Sequence, residues 1–241
     1  MKKDIFIFNG ETSSDHGLML EEADIFPAPK RRQTVVTIPG KSGSIIRDEG
    51  CWDDVPVKYQ VSLRRDLPIR WQDVLSWLSL CQGYCRLENS IQPEHFRLAY
   101  YQGGIDVQQL RTFKSARTVI EFTARPELYL KDGEIPVTIE RGANESATAV
   151  IVNPTMYEAK PLIKVMGTGN GTITIQGQTM TITGMADYLY INCEEQDVYR
   201  LRAENKNSLA SGVFPDIVPG ENNIVITGFT SVEIVPRFYT L

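Results

Sequence analysis

The residues that could do chemistry are few. The chain has two histidines, His16 in "TSSDHG" and His95 in "QPEHFRL". Ser13, Ser14, Asp15 and His16 supply the residue types of a nucleophile, an orienting acid and a base. Such a relay depends on geometry in space, however, and neighbours within one turn normally point apart. Their adjacency predicts a turn, and His95 is expected at the start of a strand. Carboxylates are plentiful, but a glycosidase needs two that face each other across a sugar cleft, and no pair stands out. Glu194, Glu195 and Asp197 in "NCEEQD" could ligate calcium, yet they lack the spaced oxygens of a calcium loop; a solvated acidic turn is expected. In "IPGKSGSI", Ile38 to Ile45, only two residues separate Gly40 from Gly43 and no helix follows for a phosphate loop to open. That stretch reads as a glycine-rich turn between strands.

The four cysteines, Cys51, Cys81, Cys85 and Cys193, are too scattered for a disulfide scaffold. Cys81 and Cys85 lie four apart, but neither a second pair nor a nearby histidine completes a zinc set. Reduced, partly buried thiols are expected. The residues therefore offer no catalytic, metal or cofactor site, and the expectation is a structural or binding protein, not an enzyme. Basic clusters are the remaining functional candidates. Lys30, Arg31 and Arg32, and Arg64 with Arg65, stand out in a chain of net charge −5. They are either solvated surface or a dock for an acidic neighbour. The negative balance argues against a nucleic-acid binder, which needs a basic surface to displace phosphate counterions. The sequons at Asn144 and Asn170 mean little without an export signal.

The elements that must position these residues are mostly strands. In "VPVKYQVSLRR", Val57, Tyr59, Val61 and Leu63 share one face, and Lys58, Gln60, Ser62 and Arg64 the other. "DIFIFNG" predicts a strand meeting an Asn-Gly turn. One segment breaks the pattern: Trp71, Val74, Leu75, Leu78 and Cys81 recur at helical spacing, with Pro68 near the first turn and Gly83 past the end. An amphipathic helix is expected over 69–81, a lid on the sheet with Trp71 filling core; Trp77, off the stripe, is the alternative candidate for a binding role. Beyond Leu130 come many short strands bounded by Gly, Asn or Asp, with Gln176-Gly177 a tight hairpin turn. In "FPDIVPGENNIVITG", proline and glycine punctuate a bend, a turn and a strand. The expected fold is mainly β, divided near residue 132. Residues 1–132 would form a sandwich- or barrel-like α+β domain with the helix, and 133–241 an antiparallel sandwich. At 241 residues, 42% hydrophobic and 23% charged, the composition is that of a soluble globular protein, and no apolar run approaches a membrane span or signal peptide.

The order of this punctuation resembles the distal tail protein family of long-tailed, non-contractile bacteriophages. The resemblance runs from "FIFNGETSSDHGLML" through "VTIPGKSG", "DLPIRWQDVLSWL", "YCRLENSIQPEHFRLAYY" and "IEFTARPELYL". It continues in "IVNPTMYEAKPLIKVMGTGNGTITIQG", "YINCEEQDVYR", "FPDIVPGENNIVITG" and "VEIVPRFYTL". It implies an N-terminal β domain whose copies close into a six-membered ring, and a peripheral galectin-like sandwich. The implied partners are the tail tube, a tail-associated baseplate or fibre protein, and receptor-binding proteins, with DNA passing through the bore unheld. A virion at the tail tip, after synthesis in the bacterial cytoplasm, is the implied location. Candidate neighbour contacts are Lys30, Arg31, Arg32, Pro39, Gly40, Lys41, Gly43, Arg64 and Arg65. A second expectation is a carbohydrate-binding module for cell-wall adhesion, on which Tyr188, Tyr190 and Tyr199 stack on sugar; otherwise they are packing residues.

Overall fold

The computed structural model describes residues 4–64, 67–105, 108–110, 115–143, 145–201 and 204–241. Arg65 and the sequon residue Asn144 lie outside them. The chain divides into two compact units, residues 1–128 with Leu241, and residues 129–240.

The first unit holds β1 (Phe6–Phe8), β2 (Glu11–Thr12), β3 (Leu18–Asp24), β4 (Arg31–Thr37), β5 (Ser44–Trp52) and β6 (Val55–Arg64). Helix α1 (Leu67–Ser79) follows, then β7 (Cys85–Asn89), β8 (His95–Tyr101), β9 (Gln108–Leu110) and β10 (Ser115–Ala124). An antiparallel sheet runs β2-β1-β7-β8-β10-β6-β3, with β9 beside β10; β4 and β5 pair only with each other. Alternation decides which face is covered. Val57, Tyr59, Val61 and Leu63 are buried, as are Ala116, Ile120 and Phe122 across the β6–β10 register, which runs unbroken from Ser115↔Arg64 to Ala124↔Val55. Asn9 and Gly10, both at positive φ, make the turn from β1 to β2.

Helix α1 covers the core face with Leu67, Val74, Trp77 and Leu78. It begins and ends two residues before the expected 69–81. Cys81 is therefore outside the helix, and Gly83 at φ 83° turns the chain back so that the Cα atoms of Cys81 and Cys85 are 6.3 Å apart and the two form a disulfide. The expectation of reduced thiols is corrected for this pair: the Cα separation of 6.3 Å lies within the span that a disulfide bridges. Cys51 and Cys193 are free. The tryptophan roles are corrected too. Trp77 is 3% exposed and its Nε1 donates to the Phe8 carbonyl at 3.2 Å, whereas Trp71 is only half-buried at the margin. The buried stripe is centred on Val74 and Leu78, which turns position 77 inward.

The second unit holds β11 (Leu128–Leu130), within which the division falls, then β12 (Val137–Glu140), β13 (Ser146–Asn153), β14 (Leu162–Met166), β15 (Gly169–Ile175) and β16 (Gln178–Met185). It continues with β17 (Tyr188–Asn192), β18 (Asp197–Tyr199), β19 (Ala210–Gly212), β20 (Gly220–Thr227), β21 (Ser231–Val235) and β22 (Tyr239–Thr240). Two five-stranded antiparallel sheets, β12-β21-β14-β17-β18 and β13-β20-β15-β16-β19, share one core that includes Ile163, Ile173, Leu189, Ile224, Phe229 and Ile234. The Pro-Gly turn is locked from inside. The fully buried Asn222 accepts from the Val218 N–H at 2.9 Å and donates to the carbonyls of Val218 and Gly220 at 2.7 and 2.9 Å. Among the described residues the fold is mainly β with one α-helix, as the sequence pattern requires.

Candidate functional site

His16 is the residue most able to do chemistry, and the fold gives it other work. The turn after β2 carries its ring onto α1, stacked on Trp77 with centroids 4.2 Å apart. Nδ1 lies 2.7 Å from Asp73 Oδ2 and Nε2 2.9 Å from Glu11 Oε2. The neighbouring serines are engaged elsewhere: Ser13 Oγ accepts from the Phe6 N–H at 3.2 Å, and Ser14 Oγ faces Thr12 Oγ1 at 2.9 Å. The assembly ties a turn to a helix.

Other buried polar groups are structural as well. Arg97 donates from Nη1 to the carbonyls of Arg125 and Pro126 at 3.3 and 2.7 Å, and burial lowers its pKa. Burial pushes the Tyr59 phenol far up and the Cys193 thiol up to about 12, so both stay protonated. The acidic turn is partly tied down, with Glu195 accepting from Asn192 at 2.9 Å and Glu194 3.5 Å from Arg237. Among the described residues no cluster of His, Cys, Asp and Glu could hold a metal, and no helix is long and apolar enough to cross a membrane.

The anomaly lies in β4 and β5. Every residue from Lys30 to Gly50 is exposed. The ribbon pairs Val36↔Ile45 and Val35↔Ile46. Cross-strand partners share a face and successive residues alternate faces, so each face carries one apolar pair. Val35 and Ile46 are 60% and 62% exposed, Val36 and Ile45 47% and 46%. Seven strand residues reach roughly 23 Å at about 3.3 Å each.

The base of the ribbon is firmly built. Arg31 pairs with Asp48 and lies over Trp52 at 5.2 Å, Arg32 donates to Asp53 at 2.9 Å, and Thr34 to Glu49 at 3.0 Å. The Gly50 amide, with help from Arg31, holds the Asp48 carboxyl below its ordinary range. At the tip, Gly40 and Gly43 adopt φ 82° and 81°, and the Lys41 N–H donates to the Ile38 carbonyl at 3.1 Å.

The sequence candidates are thus distributed along one element. Lys30, Arg31 and Arg32 sit at its base and Pro39, Gly40, Lys41 and Gly43 at its tip. Arg64 lies outside that element, exposed at the far end of β6 as the last of its 10 residues. The residues missed were Val35, Val36, Ile45 and Ile46. Their signal was present in "TVVT" and "SIIR": an apolar doublet in a strand must put one side chain on each face, which a half-buried strand does not need. In the second unit, Tyr188, Tyr190 and Tyr199 form a half-buried ladder on one sheet face. Tyr190 stacks on Tyr199 at 5.4 Å and Arg200 lies over Tyr188 at 5.4 Å.

No protein-family model and no curated protein matches the chain. Among solved structures it is similar to the SPP1 Dit protein, described as a paradigm of the hub adsorption apparatus in Gram-positive-infecting phages. The TM-score is 0.75 at 14% identity, over 100% of both chains. It is also similar to a chain of the phage P2 baseplate in its activated conformation with Ca, with TM-score 0.56, 9% identity and 97% of each chain covered. The corresponding structure with Sr gives 0.55, 8% and 96%. The chain has the fold of these phage hub and baseplate proteins from end to end.

Proposed function

We propose that this protein is a structural component of a phage virion, the ring-shaped hub at the tip of a long non-contractile tail. The observation that carries the reading is the likeness to the SPP1 hub protein over the whole of both chains; a shared module alone would match over part of each. Six copies close into the ring through the first unit, with one flank of each subunit meeting the opposite flank of the next, as a heterologous contact that returns on itself requires. The β4–β5 hairpin is the contact arm. A two-stranded ribbon is marginal alone in water, and covering five half-exposed Val and Ile side chains contributes about 1 kcal/mol each. Lys30 to Arg32, Pro39 to Lys41, Gly43, Arg64 and Arg65 are contact residues of this assembly. The bore passes DNA without holding it, which suits a net charge of −5 per chain. The protein's partners are receptor-binding or peripheral baseplate proteins, the tail tube, and a tail-associated baseplate or fibre protein. The role is geometric, without catalysis, and it is exercised in the virion after synthesis in the bacterial cytoplasm. Sedimentation velocity tests this: a discrete species several times the 27.2 kDa chain is expected, and a strict monomer at high concentration, even beside its tail partners, contradicts it.

A second reading has its own observation. The ladder of Tyr188, Tyr190 and Tyr199, flanked by Lys164 and Glu233 3.4 Å apart, offers aromatic and polar groups on one face for a cell-wall saccharide. A glycan array without hits removes it.

A further inference from the structure

The hairpin carries charge that the rest of its own chain does not meet. Residues 30–50 contain five basic and two acidic side chains, a surplus of three in a chain of net −5, so the remainder carries −8. Arg31 and Arg32 are paired at the base, whereas Lys30, Lys41 and Arg47 make no ion pair among the described residues.

Unmatched carboxylates stand on β3, the edge of the main sheet. β3 pairs with β6 on one side, and among the described residues no strand lies on the other. Its register slips between Leu20 and Glu22, so Leu20 and Ala23 both face the core while Glu22 and Asp24 stand opposite Gln60 and Lys58. Glu21 is held by Arg117 at 3.0 Å. Glu22 and Asp24 are exposed and make no ion pair among the described residues.

An acidic edge rejects a copy of itself, because like charges opposite each other are destabilising, and the basic hairpin rejects a second hairpin for the same reason. Unlike ends fit. We propose that the hairpin of one copy lies along the β3 edge of the next, extending its sheet and setting Lys30 and Arg47, from the base half of the arm, against Glu22 and Asp24. This rests on the ring reading above and names the surface that receives the arm. Strand addition satisfies the open backbone groups of an edge. It also sets one apolar pair of the arm beside the half-buried Leu20 and Ala23 at the core margin, continuing that face. A nucleic-acid partner would use the cations and leave Val35, Val36, Ile45 and Ile46 in water.

Charge reversal tests the pairing. Glu22→Lys with Asp24→Lys, and separately Lys30→Glu with Arg47→Glu, should each weaken assembly at least tenfold in sedimentation velocity, with melting curves confirming folded chains. All four changes together should restore it. An edge variant that assembles like the wild type overturns the inference while leaving the ring reading intact, as does a quadruple variant that stays monomeric. A monomeric wild type sinks the ring reading itself. If the reversed strand fails to fold, Glu22→Gln with Asp24→Asn gives the same reading through a smaller weakening. Unchanged assembly of the hairpin variant, together with lost retention on a phosphate resin, would assign the arm to nucleic acid and overturn the inference.

Discussion

His16 has two carboxylates and a tryptophan around it, and nothing in "TSSDHG" beyond the histidine itself indicated them. A turn was legible because Ser, Asp and Gly cluster there; the partners Glu11 and Asp73 were not, since Asp73 is 57 residues away. His16→Ala removes both contacts and the stack on Trp77. A loss of about 1–2 kcal/mol in denaturant unfolding is expected, the partly solvated carboxylates limiting the effect; an unchanged midpoint would contradict the clamp. Cys193 gives a pH dependence of known sign. Its thiol ionises near pH 12 when folded but near 8.5 when unfolded. Its contribution is therefore complete below about pH 8.5 and is lost as pH rises toward 12. Stability should fall over that window, less steeply in Cys193→Ala. At pH 8 iodoacetamide should modify Cys51 in the native protein and spare Cys193, read by mass spectrometry of peptides.

At the scale of elements, periodicity did most of the work. The alternation in "VPVKYQVSLRR" determines the buried face of β6, and the spacing of Val74, Leu75 and Leu78 marks α1. What eluded it was the centre of the buried stripe, Val74 and Leu78, which puts Trp77 inward, and the earlier end of the helix, which leaves Cys81 outside it. The hairpin was legible as a turn between strands, but its two-sided apolarity follows from register, which pairs Val35 with Ile46 and Val36 with Ile45. Replacing Val35 and Ile46 by Ser should leave unfolding within about 0.5 kcal/mol, since these side chains are already solvated, while assembly is lost. Equal loss of stability and assembly would mean the ribbon belongs to the fold. Gly228 has the opposite character. At φ 74°, with a Cβ that would sit 2.1 Å from the Asn170 carbonyl, it admits no side chain. Gly228→Ala should cost about 2 kcal/mol or more, visible as a lowered melting temperature.

At the scale of the molecule, two β-rich units arise from a sequence in which His16, Arg97, Asn222 and the Cys81–Cys85 pair hold structure together. At 14% identity to the SPP1 hub protein about six side chains in seven differ, yet the two folds match over the whole of both chains. The likeness lies in the fold, whose turns and strand ends are marked in this sequence by Gly, Pro and Asn, and that ordered punctuation was more informative than any single motif. The exposed β4–β5 hairpin is the part of this frame to which the ring proposal gives a partner. Electron microscopy of the purified protein, viewed down the particle axis, tests that most directly. The account predicts closed rings of six identical lobes around an open centre; single particles of one chain, or open filaments with no bore, would contradict it.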